Sequence, residues 1–210
     1  MNNLFDKIYC INLDKRKDNW EECKKEFEKF SIDSVCRISA VDGEKLFETG
    51  KYPSKVKACE RGLVLSNIKI FEEAKNKNLE NILIMEDDVS FSDDINQISE
   101  LMTLVPEDWD LIYFGANHCT QEGKEPPHKI NDRVVKCHYS KATHCIGFNS
   151  RTFDFILENL KKHNLPLDVI YIRYLQSTFN VYSFFPALVS QSPGYSDIQS
   201  RNCNYKKFIK

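Results

Sequence analysis

The sequence predicts an α/β fold, a central and mostly parallel sheet flanked by helices. Three observations carry that expectation. Short apolar runs of strand length alternate along the chain with longer segments whose apolar residues recur at helical spacing. Two of the runs, inside NILIMEDDV at 81–89 and DWDLIYFG at 108–115, read as buried strands. No repeat, low-complexity tract or Gly/Ser linker divides the 210 residues, so one domain over 1–210 is expected.

FDKIYCINL at 5–13 is the first strand. NWEECKKEFEKF at 19–30 follows as a helix, because Trp20, Cys23, Phe27 and Phe30 fall on one face. SVCRISAV at 34–41 is a second strand, ended by the turn pair Asp42–Gly43. The stretch 44–57, with Gly50 and Pro53, reads as a surface loop. ERGLVLSNIKIFEEAKNKN at 60–78 is a helix with Leu63, Ile70 and Phe71 near one side. The buried strand at 81–89 runs into three carboxylates, and a helix over 93–105 follows, stopped by Pro106. The strand at 108–115 ends in Gly115, and the polar stretch 116–127 is a loop. RVVKCHYS at 133–140 and ATHCIGFN at 142–149 read as neighbouring strands. SRTFDFILENLKKH at 150–163 is a helix with Ser150 as N-cap, and LDVIYIRYLQSTF at 167–179 is another. VYSFFPALVS at 181–190 closes the pattern as a strand, and the tail carries turn residues, then basic ones.

Charge and composition remove several functions. Lys and Arg number 29 against 31 Asp and Glu, so the basic excess of a nucleic-acid-binding module is missing. No apolar run approaches the ~20 residues of a membrane span. The opening MNNLFDKIYCINL lacks a signal-peptide layout, since Asp6 and Lys7 interrupt its apolar part. A cytoplasmic location and eight reduced thiols are therefore expected. His118–Cys119, Cys137–His138 and His144–Cys145 are adjacent pairs, but neighbours on a strand point to opposite faces and cannot chelate as pairs.

The ligand of a parallel α/β sheet lies at the carboxyl ends of its strands, which gathers Asn12, Asp42, Glu86–Asp88 and Gly115 near one edge. Glu86, Asp87 and Asp88 are the sharpest feature, because carboxylates at the end of a buried strand need compensation. A hard divalent cation, magnesium or manganese, supplies it; a solvated strand end with one acid capping the next helix is the alternative. Lys15, Arg16 and Lys17 just past the first strand suit a phosphate, or form a solvated charge run. Neither GxGxxG nor GxxxxGK[ST] is present, so a nucleotide is held by another device.

Eight segments taken in order resemble family 25 glycosyltransferases, the family of bacterial lipopolysaccharide galactosyltransferases and the collagen galactosyltransferase domain. They are INLDKRKD, AVDG, ERGLVLSNIKIFEEA, ILIMEDDVSF, DWDLIYFG, THCIGFNSRTFDFIL, LPLDV and GYSDIQS. Two departures stand out: Asn67 follows Leu-Ser where the family usually has His, and Asn19–Trp20 stands where it usually carries a second arginine. The resemblance implies a GT-A type nucleotide-sugar fold. It also implies a UDP-sugar donor, often UDP-galactose, and manganese-dependent transfer with inversion to a glycan, lipid-linked or glycoprotein acceptor. Asp88 and Glu86 are then the expected metal ligands, with Asp197 of SDIQS closing the site from the tail or serving as a turn residue. Glu86 and Asp87 join Asn12, Lys15, Arg16 and Asp42 as donor-binding residues, although strand alternation turns Asp87 away from its neighbours. Asp168 of LPLDV is the expected general base or the N-cap of the following helix, and His144 a contact to donor or acceptor or a half-buried packing histidine.

Two other readings compete. A magnesium-dependent phosphate-handling hydrolase needs a nucleophilic Asp at the end of the first strand, where the chain has Asn12, with Asp14 two residues on. A catalytically degenerate sugar-binding module draws its support from Asn67.

Overall fold

The computed structural model describes residues 1–50, 56–119, 125–196 and 201–203. From the first strand β1 (Lys7–Asn12) the chain runs through helix α1 (Lys17–Lys29) to strand β2 (Val35–Ser39). Helices α2 (Gly43–Glu48) and α3 (Ala58–Asn76) precede strands β3 (Asn81–Glu86) and β4 (Val89–Phe91). A 3-10 turn over Asp93–Gln97 leads into α4 (Ile98–Met102), then β5 (Leu111–Tyr113) and β6 (Asn117–His118). Strands β7 (His128–Lys129), β8 (Val134–Lys136), β9 (Ser140–Lys141) and β10 (Cys145–Asn149) come next. Helices α5 (Phe153–Lys162) and α6 (Leu167–Ile170) follow, α6 continuing as a π-helical turn over Tyr171–Leu175. Strands β11 (Val181–Phe184), β12 (Val189–Gln191), β13 (Gly194–Ser196) and β14 (Arg201–Cys203) complete the order.

Eight strands form the central sheet in the order β2-β1-β3-β10-β5-β11-β8-β7. Strands β10 and β8 run against the other six, so the sheet is mostly parallel as expected. Strand β3 shows why both faces are covered. Leu83 and Met85 point into one apolar layer, with Phe27 of α1 and Leu101 of α4; Ile82 and Ile84 point into the other, with Phe71 of α3, Ile156 of α5 and Ile170 of α6. The two-residue period of the strand places alternate side chains on opposite faces, and each face finds its own helices.

Several elements differ from the sequence expectation. The stretch 44–57 is not all loop: Asp42 caps α2 by accepting from the Glu44 and Lys45 N–H groups. The segments 133–140 and 142–149 are not neighbours, because β8 pairs with β11 while β10 inserts between β3 and β5. The helix expected over 93–105 breaks into the 3-10 turn and α4. The strand expected over 181–190 splits at the cis Phe185–Pro186 bond into β11, in the central sheet, and β12, which pairs with β4. The polar stretch after Gly115 contains β6, paired with β9. Ser150 is not the cap of its helix: Asn149 Oδ1 takes the Arg151 N–H and opens a 3-10 turn, Ser150–Thr152, ahead of α5.

Candidate active site

Because β1 lies parallel between β2 and β3, with Ile11 paired to Ile38 on one side and Glu86 on the other, three strand ends stand side by side. They open onto a cleft of about 440 Å³. Its apolar wall comes from Ile11, Leu13, Ala40, Val41 and Leu63. Helix α3 fixes the position of that wall. Gly62 lets the helix approach so closely that a Cβ there would stand 2.4 Å from Val41 O. Four residues on, Ser66 Oγ accepts the Val41 N–H at 2.8 Å and donates to Gly62 O at 2.8 Å. At the rim, Lys15 Nζ lies 2.8 Å from Glu44 Oε2 and 3.5 Å from Asp42 Oδ2.

The floor is the acidic end of β3. Thr143 Oγ1 donates to Glu86 Oε1 at 2.6 Å, and Gln191 Nε2 donates to Asp88 Oδ2 at 2.9 Å. Asp87 turns toward β1, where Asn12 Nδ2 donates to its Oδ2 at 2.6 Å. Burial, and then the negative charge of Asp88, push the Glu86 carboxyl up to about 8. Burial, and then Asp87, push Asp88 up to about 7. Asp168 also raises Glu86, by the weakest of the three carboxylate influences, so it shares the cleft without crowding the floor. It sits in the first turn of α6, one position inside the helix from its first residue, so it is not the N-cap; Pro166 holds that position and makes no side-chain cap hydrogen bond.

Seven carboxylates line the cleft against three lysines, Lys15, Lys57 and Lys141. Such a surface repels an anionic ligand unless a cation joins it. Among the described residues no three His, Cys, Asp or Glu side chains group as a ready-made metal cage. The oxygen set nonetheless fits a hard divalent ion: Asp88 Oδ1 is buried with no partner among the described residues, and the carboxylate of Glu86 is near enough to be raised by its charge. Magnesium-type sites commonly use one or two carboxylates and complete their shell with water and substrate phosphate.

The model of glycosyltransferase family 25 (LPS biosynthesis protein) matches residues 5–169, which include Asn12, the Val41–Gly43 wall, Glu86–Asp88 and Asp168. The chain belongs to glycosyltransferase family 25. Among curated proteins this family 25 chain is similar to procollagen galactosyltransferase 1-B of Xenopus laevis, 29% identical over 62% of this chain and 24% of the relative. Procollagen galactosyltransferase 2 of Mus musculus is 30% identical over 65% and 25%, and a glycosyltransferase 25 family member of Drosophila melanogaster 30% over 64% and 25%. The chain thus spans about a quarter of the length of the curated relatives it matches. A solved glycosyltransferase involved in glycosylation of the major capsid of PBCV-1 overlaps 74% of this chain and 65% of its own, with TM-score 0.43 and 14% identity.

Within the family 25 domain, Lys15, Asp42, Glu86, Asp87, Asp88 and Asp168 meet in the cleft. Asn12, Arg16 and His144 are outside its lining. Asn12 is buried beneath it, with Nδ2 donating to Arg16 O and Asp87 Oδ2 and Oδ1 accepting from Arg37 Nε, so it positions an acid. The Arg16 guanidinium bonds Asp18 and Asn19. His144 is 5% exposed, its Nε2 3.0 Å from Val189 O, and burial lowers its pKa, so it packs between strands as a neutral ring. Asp197 lies outside the described residues. Asp14, which a hydrolase would need as nucleophile, is outside the cleft lining and accepts from Ser39 and Arg37. Thr143, Gln191, Lys141 and Asn117 are cleft residues that sequence reading did not single out. Only Thr143 had a visible signal, its place beside His144 in THCIGFN.

Proposed function

We propose that the chain transfers a sugar from a UDP-sugar to a hydroxyl of a glycan, lipid-linked or glycoprotein acceptor, inverting the anomeric centre with the help of manganese or magnesium. Galactose is the sugar proposed, because the Xenopus laevis and Mus musculus relatives are galactosyltransferases by name. The observation that carries the reading is Asp88 Oδ1, buried and without a partner among the described residues, with Glu86 in the same cleft of a family 25 chain. Asp88 and Glu86 would hold the metal, which supplies positive charge to the leaving diphosphate. The apolar wall of Leu13, Val41 and Leu63 offers a face to the nucleoside. Asp168, which also lines the cleft, accepts the proton of the acceptor hydroxyl as its oxygen attacks the anomeric carbon; the bond from that carbon to the diphosphate oxygen breaks in the same displacement. Gln191 and Thr143 hold the two carboxylates of the floor in place for that step. A cytoplasmic location belongs to the same proposal. Among the described residues no helix is long and apolar enough to cross a membrane.

The test is UDP release from UDP-galactose, UDP-glucose and UDP-N-acetylglucosamine, with manganese and with excess chelator, alongside a generic phosphate ester. Metal-dependent release from one UDP-sugar is expected. Hydrolysis of the ester with every UDP-sugar untouched would reject the reading.

A further inference from the structure

The three lysines of the cleft are not equivalent. Lys15 is held by Asp42 and Glu44, and Lys57 stands at the N-cap of α3. Lys141 is half-buried, and among the described residues no carboxylate lies within ion-pair distance of its ammonium. Its contact is the face of the Tyr139 ring, 5.8 Å from Nζ to the centroid. An ammonium in the cleft with no ion-pair partner among the described residues is placed for an anion that arrives with the ligand.

The backbone that carries it is fixed. The Gln176 side chain clamps Ser140 at both ends, accepting its N–H at 2.9 Å and donating to its C=O at 2.6 Å. Lys141 pairs with Asn117 across the β6–β9 ladder. The segment is bracketed by two residues in the left-handed region, Tyr139 at φ 51° and Ala142 at φ 80°. That conformation costs an alanine about 1 kcal/mol and persists only where its surroundings impose it. Immediately after it, Thr143 reaches Glu86.

The order of strands sets where Lys141 lies. From the apolar wall at the ends of β1 and β2, the sheet edge passes the acids at the end of β3, where Thr143 bonds Glu86; Lys141 stands two residues before Thr143, on β9. Lys141 therefore lines the same cleft as the wall and the acids. A nucleoside on the wall places its first phosphate over the acids and its second toward Lys141. We infer that Lys141 binds the β-phosphate of the donor and stabilises the charge that gathers on its oxygen when the bond to the sugar breaks. The inference rests on the UDP-sugar reading and assigns that site a residue of its own.

Calorimetry with manganese and three probes, UDP, UMP and uridine, tests it on the intact chain. Lys141→Met should weaken UDP about tenfold, the usual scale for one lost charge-assisted hydrogen bond, and leave UMP and uridine unchanged. Lys141→Arg should stay within about threefold of the parent. If the Met variant melts early, Lys141→Gln is read by the same criteria. UDP affinity equal in parent and Met variant overturns the inference. So does an equal loss for UDP and UMP, which moves the contact to the first phosphate, and so does an Arg variant as weak as the Met one. A parent chain that binds no UDP overturns the donor reading itself, and the inference with it.

Discussion

Gln191 Nε2 donates to Asp88 Oδ2 at 2.9 Å and leaves Oδ1 buried without a protein partner among the described residues. One oxygen of the carboxylate is thereby spent on orientation, and the other is open to the cation proposed above. Leaving a buried oxygen unbonded costs on the order of 1–3 kcal/mol, which a bound cation would remove. Asp88→Ala should abolish manganese-dependent UDP binding, and Glu86→Ala should weaken it at least tenfold. Calorimetry of UDP with metal and with excess chelator reads both, and equal affinity in chelator sinks the assignment.

Asp168 separates a catalytic role from a binding one. Asp168→Asn should bind UDP-sugar as the parent does and turn over roughly 10²-fold or more slowly, because the amide keeps the shape but cannot take the acceptor proton. Asp168 lies in the first turn of α6, where its charge favours the helix N-terminus, so the change should cost only about 0.3–1 kcal/mol of stability. Transfer at the parental rate would remove Asp168 from the mechanism.

The metal-free chain should lose stability as pH rises. Glu86 goes from an ordinary 4.5 to about 8 on folding, and Asp88 from 3.8 to about 7. Between those limits the folded state holds more protons than the unfolded one, so the unfolding free energy falls with pH and levels off above about 8. Urea midpoints in chelator should descend from pH 7 to pH 8, above the range where the pKa values of His118 and His144, lowered by burial, act in the opposite sense, and manganese should lift the pH 8 value most. A midpoint that rises with pH across this window contradicts the burial of the two acids.

Gly62→Ala probes how α3 supports the wall. The new methyl would meet Val41 O at 2.4 Å, and that atom is backbone, so the wall or the helix must move. A loss of about 1–3 kcal/mol in stability is expected, with weaker uridine binding. Ser66→Ala, which removes the partner of the Val41 N–H, should cost about 1–2 kcal/mol. Full stability and full uridine affinity in both variants would show that the wall stands without α3.

The local signals of the sequence carried far in this fold. The two-faced apolar run of β3 and the face of Trp20, Cys23 and Phe27 announced a covered sheet, and the acids after NILIM marked the floor of the cleft. What escaped was mostly pairing. Nothing in ATHCIGFN says that it will run antiparallel between β3 and β5, because register between strands is set by partners far along the chain. Thr143 and Gln191 were missed for the same reason: each is an ordinary polar residue until folding brings it to a carboxylate 57 or 103 positions away. Helix α2 was legible in principle through its Asp42 cap, but Gly43, Gly50 and Pro53 argued for a loop. Asn12 read as a ligand contact because it is polar at a strand end; burial to 1% exposure is a property of three strands together.

The hydrogen bond from Gln191 to Asp88 also orders events in time. Strands β1 to β3 and their helices lie in the first half of the chain, and the residue that orients the principal acid lies in β12, near the other end. During synthesis from the N-terminus, the acidic edge therefore emerges well before its partner. Until β12 docks on β4 and brings Gln191 over, a nascent chain exposes an uncompensated anionic edge to the ribosome exit and to any free divalent ion.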